Sequence, residues 1–298
     1  MKTYLDCIPC FFKQALESGR IAGASKRKQK IILDEVARQI PKISLNASPP
    51  QIARVINRIL QKITKNNDIY AQIKKDSNRL ALNIYDQLKR KVLHSSDSLL
   101  IAVELAIAGN IIDYGAKNSL NVDDELAKIL DAETKAIKKE NKTIFDYEKF
   151  KQVLKQSKTI LYLADNAGET VFDRILIEEI KRIDETKEII YAVKEKPVIN
   201  DALMEDAFAC GIEKNAQVIS SGVDSPGTVL SLCSSKFLKI YRKTDMVISK
   251  GQGNFEALSQ PKRPIFFLFI AKCPVIAKDV GCKLGDVILK YHDIKQLK

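Results

Sequence analysis

Histidine is scarce in this chain, which limits the kinds of metal centre that it can build. Among 298 residues there are two histidines, His94 and His292, and six cysteines. A metal site must therefore draw mainly on oxygen or sulfur ligands. In a cytoplasmic chain of this size, the cysteines are expected to be free, metal-binding or redox-active rather than a disulfide framework.

Long apolar runs are also missing, which argues against a membrane protein. The longest uninterrupted apolar run, residues 264–271, is much shorter than the roughly 18 residues needed to cross a bilayer, and it suits a buried strand. Residues 1–7 contain no apolar stretch of signal-peptide length, so we expect a cytoplasmic protein with no membrane partner. The composition, with 45% hydrophobic and 29% charged residues, is that of a globular protein.

Several motifs of nucleotide binding and nucleophilic catalysis have no counterpart in the sequence. There is no Gly-x-x-x-x-Gly-Lys-Ser/Thr loop, no Gly-x-Ser-x-Gly elbow, and no Cys and His pair at a recognisable catalytic spacing. Gly251-Gln252-Gly253 is not a dinucleotide fingerprint, because Glu256 occupies the position of the third glycine. The sequence therefore gives no support for the classes that these motifs define.

Acidic residues are outnumbered, and the net charge is +12. The excess is mostly lysine, interspersed with acids along predicted helices, as in residues 135–142. Aromatic residues are scarce in the basic runs, so a base-stacking surface is not expected. We interpret the charge as a lysine-rich surface that also suits a small phosphorylated metabolite, and we do not expect a nucleic-acid partner.

The spacing of apolar residues changes near residue 150 and predicts two domains. Residues 1–150 show apolar residues every three or four positions and predict a helical domain. Residues 151–298 predict an α/β domain, a mostly parallel sheet with helices on both faces, in which one helix covers 226–242. The predicted strands cover 159–164, 188–193, 216–220, 245–249, 264–270 and 286–290.

Polar residues follow the predicted strands, at the edge of the sheet where ligands bind in open α/β folds. Asp165 and Asn166 follow the first strand, and Asp201 lies beyond the second. Lys250 and Lys272 follow the fourth and fifth strands. Two carboxylates and an amide oxygen suit a divalent cation such as Mg²⁺, Mn²⁺, Co²⁺ or Ni²⁺, and the lysines suit a phosphate group. Taken singly, the two acids and the amide are equally compatible with ordinary helix caps.

Together these runs resemble a known family. The runs that carry the resemblance are Asp165-Asn166-Ala167-Gly168-Glu169 followed by Phe172-Asp173, Asn200-Asp201-Ala202, Lys250-Gly251-Gln252-Gly253-Asn254-Phe255-Glu256, Ala271-Lys272-Cys273, Cys7-Ile8-Pro9-Cys10 and Gly109-Asn110-Ile111-Ile112-Asp113. They are similar to the prokaryotic branch of the DUF89 family, the metal-dependent damage-control phosphatases with the ARMT1-like fold. The resemblance covers nearly the whole chain.

The resemblance implies hydrolysis of small phosphate esters, either sugar phosphates or damaged phosphometabolites, by water that a divalent cation activates. It implies a metal held by Asp165, Asn166 and Asp201, and catalytic roles for Asp165, Asn166, Lys250 and Lys272. The predicted substrate-binding residues are Glu169, Asn110, Gly251, Gly253 and Asn254. The eukaryotic branch carries Arg-Thr-x-Lys where this chain has Phe269-Ile270-Ala271-Lys272, so its substrate specificity is not expected to carry over.

Two of the substrate-binding predictions have structural alternatives. Asn110 and Asp113 belong to the apolar helical stretch that begins at Leu99. They are either inward-facing groups near the cleft or lie at a helix end, where Gly109 and Asn110 are the stop signals and a second helix follows. Glu169 either orients water or substrate, or simply favours the positive end of the helix that follows.

Cys7-Ile8-Pro9-Cys10 admits three interpretations. The pair is half of a tetrahedral zinc site, but no second pair at zinc-site spacing follows. A thioredoxin-like redox pair needs a preceding strand, and six residues are too few to reveal one. We favour free thiols buried near the helical core.

We therefore predict a phosphatase, and two alternatives stay open. One is a carboxyl methyltransferase that uses S-adenosylmethionine, although the first strand of the α/β half is followed by no glycine-rich turn beyond Gly168. The other is a non-catalytic protein that binds a metabolite or RNA. Asp165 could also act as a nucleophile, but we prefer direct attack by water.

Overall fold

The structure is a computed structural model, and it describes residues 1–109, 142–260 and 263–292. Five helices come first: α1 (Cys7–Ile21), α2 (Lys26–Gln39), α3 (Pro49–Thr64), α4 (Ala71–Leu93) and α5 (Ser98–Ala108). Helix α3 begins with two prolines, and the N–H of Ser48 donates to the Gln51 side chain at 2.8 Å, as in a capping box.

Strands and helices alternate after residue 142, and all six predicted strands are confirmed. The elements are α6 (Tyr147–Gln156), β1 (Thr159–Leu163), α7 (Glu169–Ile183), β2 (Glu188–Val193), α8 (Met204–Ala209), β3 (Gln217–Ser220), α9 (Ser235–Lys243), β4 (Met246–Lys250), α10 (Gln252–Leu258), β5 (Ile265–Ile270), α11 (Pro274–Val280) and β6 (Val287–His292).

The strands form one sheet in the order β3-β2-β1-β4-β5-β6. All neighbouring pairs are parallel except β5 and β6, which are antiparallel. Strand β1 lies between β2 and β4, so the chain order reverses there, and the carboxyl ends of β1 and β4 flank a topological switch point. The predicted fold class, a mostly parallel sheet preceded by helices, is confirmed.

Both faces of the sheet are buried, because alternate side chains of a strand point to opposite faces. Ile160 and Tyr162 of β1 pack in a core with residues of α4, α5 and α7, whereas Leu161 and Leu163 pack in a second core with residues of α9, α10 and α11. Helices α1, α2 and α3 share a separate apolar cluster. The helices before residue 109 thus pack in two groups, and the predicted domain boundary near residue 150 stays a prediction.

One predicted helix is wrong in extent, because α9 begins at Ser235 rather than near residue 226. The hydroxyl of Ser234 accepts a hydrogen bond from the N–H of Phe237 at 3.1 Å and caps the helix there. Earlier in the segment, Gly227 packs on Gly253 so closely that a Cβ at position 227 would lie 2.3 Å from the carbonyl oxygen of Gly253. The residues between Gly227 and Ser234 therefore form a loop that contains one 3-10 turn, Leu230–Leu232.

Across the part of the chain that the structure describes, the helices are too short or too polar to cross a bilayer.

Candidate active site

The residues predicted to bind metal lie on two loops that are hydrogen-bonded to each other. Asp165 and Asn166 follow β1, and Asp201 lies in the loop after β2. Asn166 and Asp201 form an isolated antiparallel bridge, and the N–H of Ala202 donates to the carbonyl of Asp165 at 2.8 Å. Pairing of the two loops brings the three predicted ligands to one place at the switch point.

Asp165 is a nearly buried carboxylate with other acids around it. It is 8% exposed. Burial raises the pKa of its carboxyl well above the usual range, and the carboxylates of Glu169 and Asp201 raise it further, whereas Lys194 and Lys272 lower it. Keeping Asp165 ionised therefore requires positive charge close to it.

The side chain of Asn166 is oriented by the same acids. Its Nδ2 donates to Oδ2 of Asp165 at 3.1 Å and to Oε1 of Glu169 at 2.7 Å. Because the amide nitrogen faces the two carboxylates, the amide oxygen is directed away from them. Asn166 lines the cleft described below, so this oxygen is suited to contact a cation there.

Gly251, at the end of β4, allows the backbone to pass directly against Asp165. Its φ of 79° and ψ of 158° lie in a region that is essentially restricted to glycine. A Cβ at this position would lie 2.0 Å from Oδ2 of Asp165. The glycine is thus required both by the backbone conformation and by the position of the Asp165 carboxylate.

Lys250 lies behind the site, where two buried carboxylates bind its ammonium group. Its Nζ donates to Oε2 of Glu169 at 3.0 Å and to Oδ1 of Asp173 at 2.7 Å. Although burial lowers the pKa of an ammonium group, these carboxylates outweigh it and hold the pKa of Lys250 above its ordinary value. The hydroxyls of Tyr162 and Tyr191 also donate to Asp173, at 2.7 and 2.8 Å.

Asn254 and Lys194 link further loops to the site. Nδ2 of Asn254 donates to the carbonyls of Ala164 at 3.0 Å and Lys250 at 2.8 Å. Its Oδ1 accepts from the N–H and the hydroxyl of Thr228, both at 2.8 Å, and from Nζ of Lys194 at 3.4 Å. Nζ of Lys194 also lies 3.4 Å from Oδ2 of Asp201.

Sequence reasoning assigned no role in the site to Lys194 or to Asp173, although Asp173 belongs to a run that carries the family resemblance. Lys194 directly follows β2, much as Lys250 ends β4, so its position at a strand end is the signal that could have found it. Asp173 lies one turn beyond Glu169 on α7, a spacing that places both carboxylates on the same side of the helix.

A cleft of about 590 Å³ opens above the two loops. We define its floor as the lining residues from the α/β half that carry the predicted chemistry: Asp165, Asn166, Asp201, Gly253 and Lys272. We define its roof as the lining residues of α1 and α3: Cys7, Cys10, Phe11, Gln14, Pro49, Pro50 and Ala53. Lys272 is exposed, whereas Lys194 and Lys250 are buried. Lys272 is thus the lysine of this group that is most accessible to a ligand.

The predicted substrate-binding residues differ in their position relative to the cleft. Gly253 lines the cleft. Glu169 and Asn254 are buried behind it, at 1% and 0% exposure, and Gly251 packs against the Asp165 carboxylate. Asn110 lies outside the described residues, as does Asp113. Direct contact of Glu169, Gly251, Asn254 and Lys250 with a substrate stays a prediction.

The donor set fits a hard divalent cation. Within the described residues, no group of three or more His, Cys, Asp and Glu side chains is arranged to hold a metal ion. The predicted ligands are instead two carboxylates and an amide oxygen, which leave the remaining positions to water. Four buried carboxylates (Asp165, Glu169, Asp173 and Asp201) face two buried ammonium groups (Lys194 and Lys250). This excess of negative charge favours a bound cation.

The cysteine pair borders the cleft, and Cys7 also packs against the apolar cluster of α1, α2 and α3. Cys7 is half-buried and Cys10 is exposed at the start of α1, and Cys273 lines the opposite side of the cleft. Burial raises the pKa of the Cys7 thiol. The six cysteines are all free thiols, so the favoured interpretation is confirmed as to free thiols and, for Cys7, as to a position near the helical core, but it is wrong as to full burial of the pair.

A doubly wound sheet with an acidic cleft at its switch point is the arrangement of an α/β protein that binds a small ligand. Residues 3–288 match the family described as the Damage-control phosphatase ARMT1-like domain. The chain therefore belongs to the ARMT1-like (DUF89) family of damage-control phosphatases, and the predicted family is confirmed.

Relatives and a solved structure agree with this assignment. A damage-control phosphatase of Pyrococcus horikoshii is 35% identical over 99% of this chain and 100% of its own length. A damage-control phosphatase of Archaeoglobus fulgidus is 32% identical over 80% of this chain and 81% of its own. The crystal structure of a DUF89 family protein from Pyrococcus horikoshii has a TM-score of 0.88 at 32% identity and covers 98% of this chain and 100% of that chain. The names of these relatives support phosphatase activity in the family.

Proposed function

We propose that this protein is a metal-dependent phosphatase that hydrolyses small phosphate esters, such as sugar phosphates or damaged phosphometabolites. The observation that carries the proposal is the excess of buried carboxylates at the switch point, in a cleft that also contains the exposed Lys272. Membership of the family and the phosphatase names of two relatives support the reaction class.

Asp165, Asn166 and Asp201 would hold the cation, which we expect to be Mn²⁺, Mg²⁺, Co²⁺ or Ni²⁺. When bound, such an ion polarises a phosphoryl oxygen and makes a water molecule more acidic. The chain contributes fixed donors, because the bridge between Asn166 and Asp201 sets the spacing of two of them. The third donor is the Asp165 carboxylate, and the backbone of Gly251 limits the positions that this carboxylate can occupy.

Lys272 is the floor residue that we expect to neutralise the phosphate group. Its backbone N–H donates to Oε1 of Gln252 at 3.1 Å, which links the segment after β5 to the glycine-rich turn after β4. Lys250 acts from behind, where its charge offsets Glu169 and Asp173 and keeps the Asn166 loop in place.

The organic part of the ester would lie against the roof. A cleft of about 590 Å³ has the volume of a small-molecule site and suits a metabolite better than a macromolecule. Phe11, Pro49, Pro50 and Ala53 give the roof apolar surface, while the charged groups of the cleft lie mainly on the floor. This division suits a substrate with one anionic end and one less polar end.

A screen of metal ions against substrates tests the proposal. Purified protein is incubated with a panel of sugar phosphates and other phosphometabolites and with each of the four cations, and released phosphate is measured. We expect hydrolysis that requires an added cation and stops in excess EDTA. Full activity in EDTA would contradict the metal dependence.

Asp165→Asn removes one ligand charge at nearly constant volume and should lower kcat/KM at least about 100-fold. Asp245→Asn is the matched control, because Asp245 accepts hydrogen bonds from the N–H groups of Lys158 and Thr159, both at 2.9 Å, at the opposite edge of the sheet. The control should keep the activity of the parent protein. An Asp165→Asn variant with full activity would overturn the assignment of this ligand.

The same protein preparation separates the alternatives. A carboxyl methyltransferase would consume S-adenosylmethionine and release no phosphate. A metabolite sensor would bind a phosphate ester without turnover. An RNA-binding protein would show an affinity for RNA that falls steeply with salt.

A further inference from the structure

Asn78, in the middle of α4, connects the two ligand loops through one side chain. It is 5% exposed and lies outside the cleft lining. Its Oδ1 accepts from the N–H of Gly168 at 2.6 Å, and its Nδ2 donates to Oδ1 of Asp206 at 2.8 Å. The planar amide therefore uses both its acceptor and its donor on elements that are distant in sequence.

The first of these bonds fixes the end of the Asp165 loop. Gly168 precedes α7 with a φ of 80° and has no side chain to cap the helix. In a capping box, the N–H at this position is satisfied by a side chain three residues further along the same helix. Here Asn78 supplies that acceptor from α4, so the turn that carries Asp165 and Asn166 is anchored to the helical half of the chain.

The second bond fixes the other loop through Asp206. Oδ2 of Asp206 accepts from the N–H of Leu203 at 2.9 Å, two residues after Asp201. Nζ of Lys74, one turn before Asn78 on α4, lies 3.8 Å from the same carboxylate oxygen. Asp206 thus holds the start of α8 and is itself held by α4.

We propose that Asn78 is a positioning residue that sets the position of Asp165 and Asn166 relative to Asp201, and thereby the cation affinity and turnover of the site. The inference rests on the proposed function. Its physical basis is that one rigid amide holds the first loop at Gly168 and the second loop through Asp206. The bridge between Asn166 and Asp201 joins the same two loops between these points. Residues that orient metal ligands typically change affinity or activity about 10- to 100-fold when they are replaced.

Asn78→Ala should therefore weaken Mn²⁺ binding and lower kcat about 10- to 100-fold, with a smaller change in KM. Mn²⁺ affinity is measured without substrate, from the electron paramagnetic resonance signal of the unbound ion. Tyr85→Phe is the matched control, because Tyr85 lies two turns further along α4 and its hydroxyl donates to Glu178 of α7 at 2.7 Å. The control removes a hydrogen bond that the same helix, α4, makes to α7 away from the cleft, and it should leave affinity and kcat unchanged.

A charge swap separates positioning from general loss of stability. Asn78→Asp places a carboxylate against Asp206 and should impair Mn²⁺ binding at least as much as Asn78→Ala. The double variant Asn78→Asp, Asp206→Asn restores the hydrogen bond between the two side chains with its direction reversed. The new amide at position 206 donates to the carboxylate at position 78, and its oxygen still accepts from the N–H of Leu203. Recovery of most of the affinity in the combined variant is the expected result. No recovery, together with an unchanged melting temperature, would overturn the proposal.

Hydrogen exchange of residues 165–168 tests the inference independently of the reaction. Asn78→Ala should accelerate exchange of this segment, and Tyr85→Phe should not. If the parent protein binds no Mn²⁺ and hydrolyses no ester, the proposed function fails and this measurement alone decides the role of Asn78. If the parent protein is active and the Asn78 variants match it in affinity, kcat and exchange, only the present inference fails.

Discussion

The floor and the roof of the cleft are built on different physical principles. Buried charged groups support the floor, and Lys250 among them makes short hydrogen bonds with both Glu169 and Asp173. The roof carries thiols, prolines and a phenylalanine, and its helices have an apolar cluster separate from both cores of the sheet. The floor therefore has little freedom to change, whereas side chains in the roof can vary without disturbing the charge network. If the proposed function holds, we expect substitutions in the floor to change the rate of the reaction and substitutions in the roof to change the choice of substrate.

The roof is joined to the α/β half by polar contacts that are more exposed than those of the floor. Arg54 and Arg58 of α3 both bind the carboxylate of Asp224, and Nη2 of Arg58 lies 2.7 Å from it. Burial favours the neutral acid, but the two guanidinium groups outweigh it and hold the pKa of Asp224 below its usual range. The contribution of this cluster to stability is present above the ordinary pKa of an aspartate and is lost as the pH falls through the lowered value.

The largest effect, a loss of stability, is expected from removing the buried charge of Lys250, which supports the floor. Lys250→Met leaves Glu169 and Asp173 buried without their cation, and removal of one partner from a buried ion pair costs about 3–5 kcal/mol. We expect a decrease of that size in the free energy of unfolding, measured by urea denaturation. Lys30→Met is the control, because Lys30 pairs with Asp34 on the exposed face of α2 and should contribute far less. Equal losses of unfolding free energy in the two variants would contradict the distinction between the buried ion pairs that support the floor and an ordinary surface ion pair.

A smaller effect, a change of KM with pH, is expected from Glu256, which lies where the floor meets the roof. Its side chain lines the cleft, and burial raises its pKa to about 7. Above this pH the carboxylate adds negative charge to the cleft that we propose binds a phosphate ester, so KM should rise between pH 6 and pH 8. The repulsion between one carboxylate and a bound anion in a solvated cleft is worth about 1 kcal/mol, which corresponds to a roughly fivefold rise in KM. Glu256→Gln should remove that increase.

The pH series for Glu256 compares the KM of the two proteins at each pH, so that titration of the substrate phosphate cancels. A constant ratio of the two KM values across the series would show that Glu256 does not influence anion binding.

The smallest effect is expected in the roof, from replacing Cys7 and Cys10 together by serine. Cys10 is exposed, and the raised pKa of Cys7 keeps it a thiol, so neither is placed as a strong metal ligand. We expect unchanged zinc content by elemental analysis and a kcat/KM within about twofold, as for most substitutions away from buried contacts. Loss of one zinc per chain in the double variant would contradict this prediction and make the roof a metal site.

Reasoning from strand ends brought the predicted metal ligands to one place because parallel strands deliver their carboxyl ends to one edge of the sheet, which is a property of topology and not of contacts. It failed where a side chain acts across the fold. Asn78 contacts Gly168, 90 residues away, and nothing in the helical spacing of α4 marks it. The position of Lys250 at a strand end likewise did not reveal that its ammonium group is bound by Glu169 and Asp173. The extent of α9 was missed because close packing of Gly227 on Gly253 is a tertiary effect.

The bridge between Asn166 and Asp201 has a consequence for how this chain can change in length. Because the two loops are paired residue to residue, an insertion in either one would shift the register and exchange the residues that face the cleft. Insertions in the turn between α7 and β2, at the opposite edge of the sheet, would leave that register intact. Among related sequences, we expect the loop lengths after β1 and β2 to be inherited as strictly as the ligands, with gaps confined to the far edge.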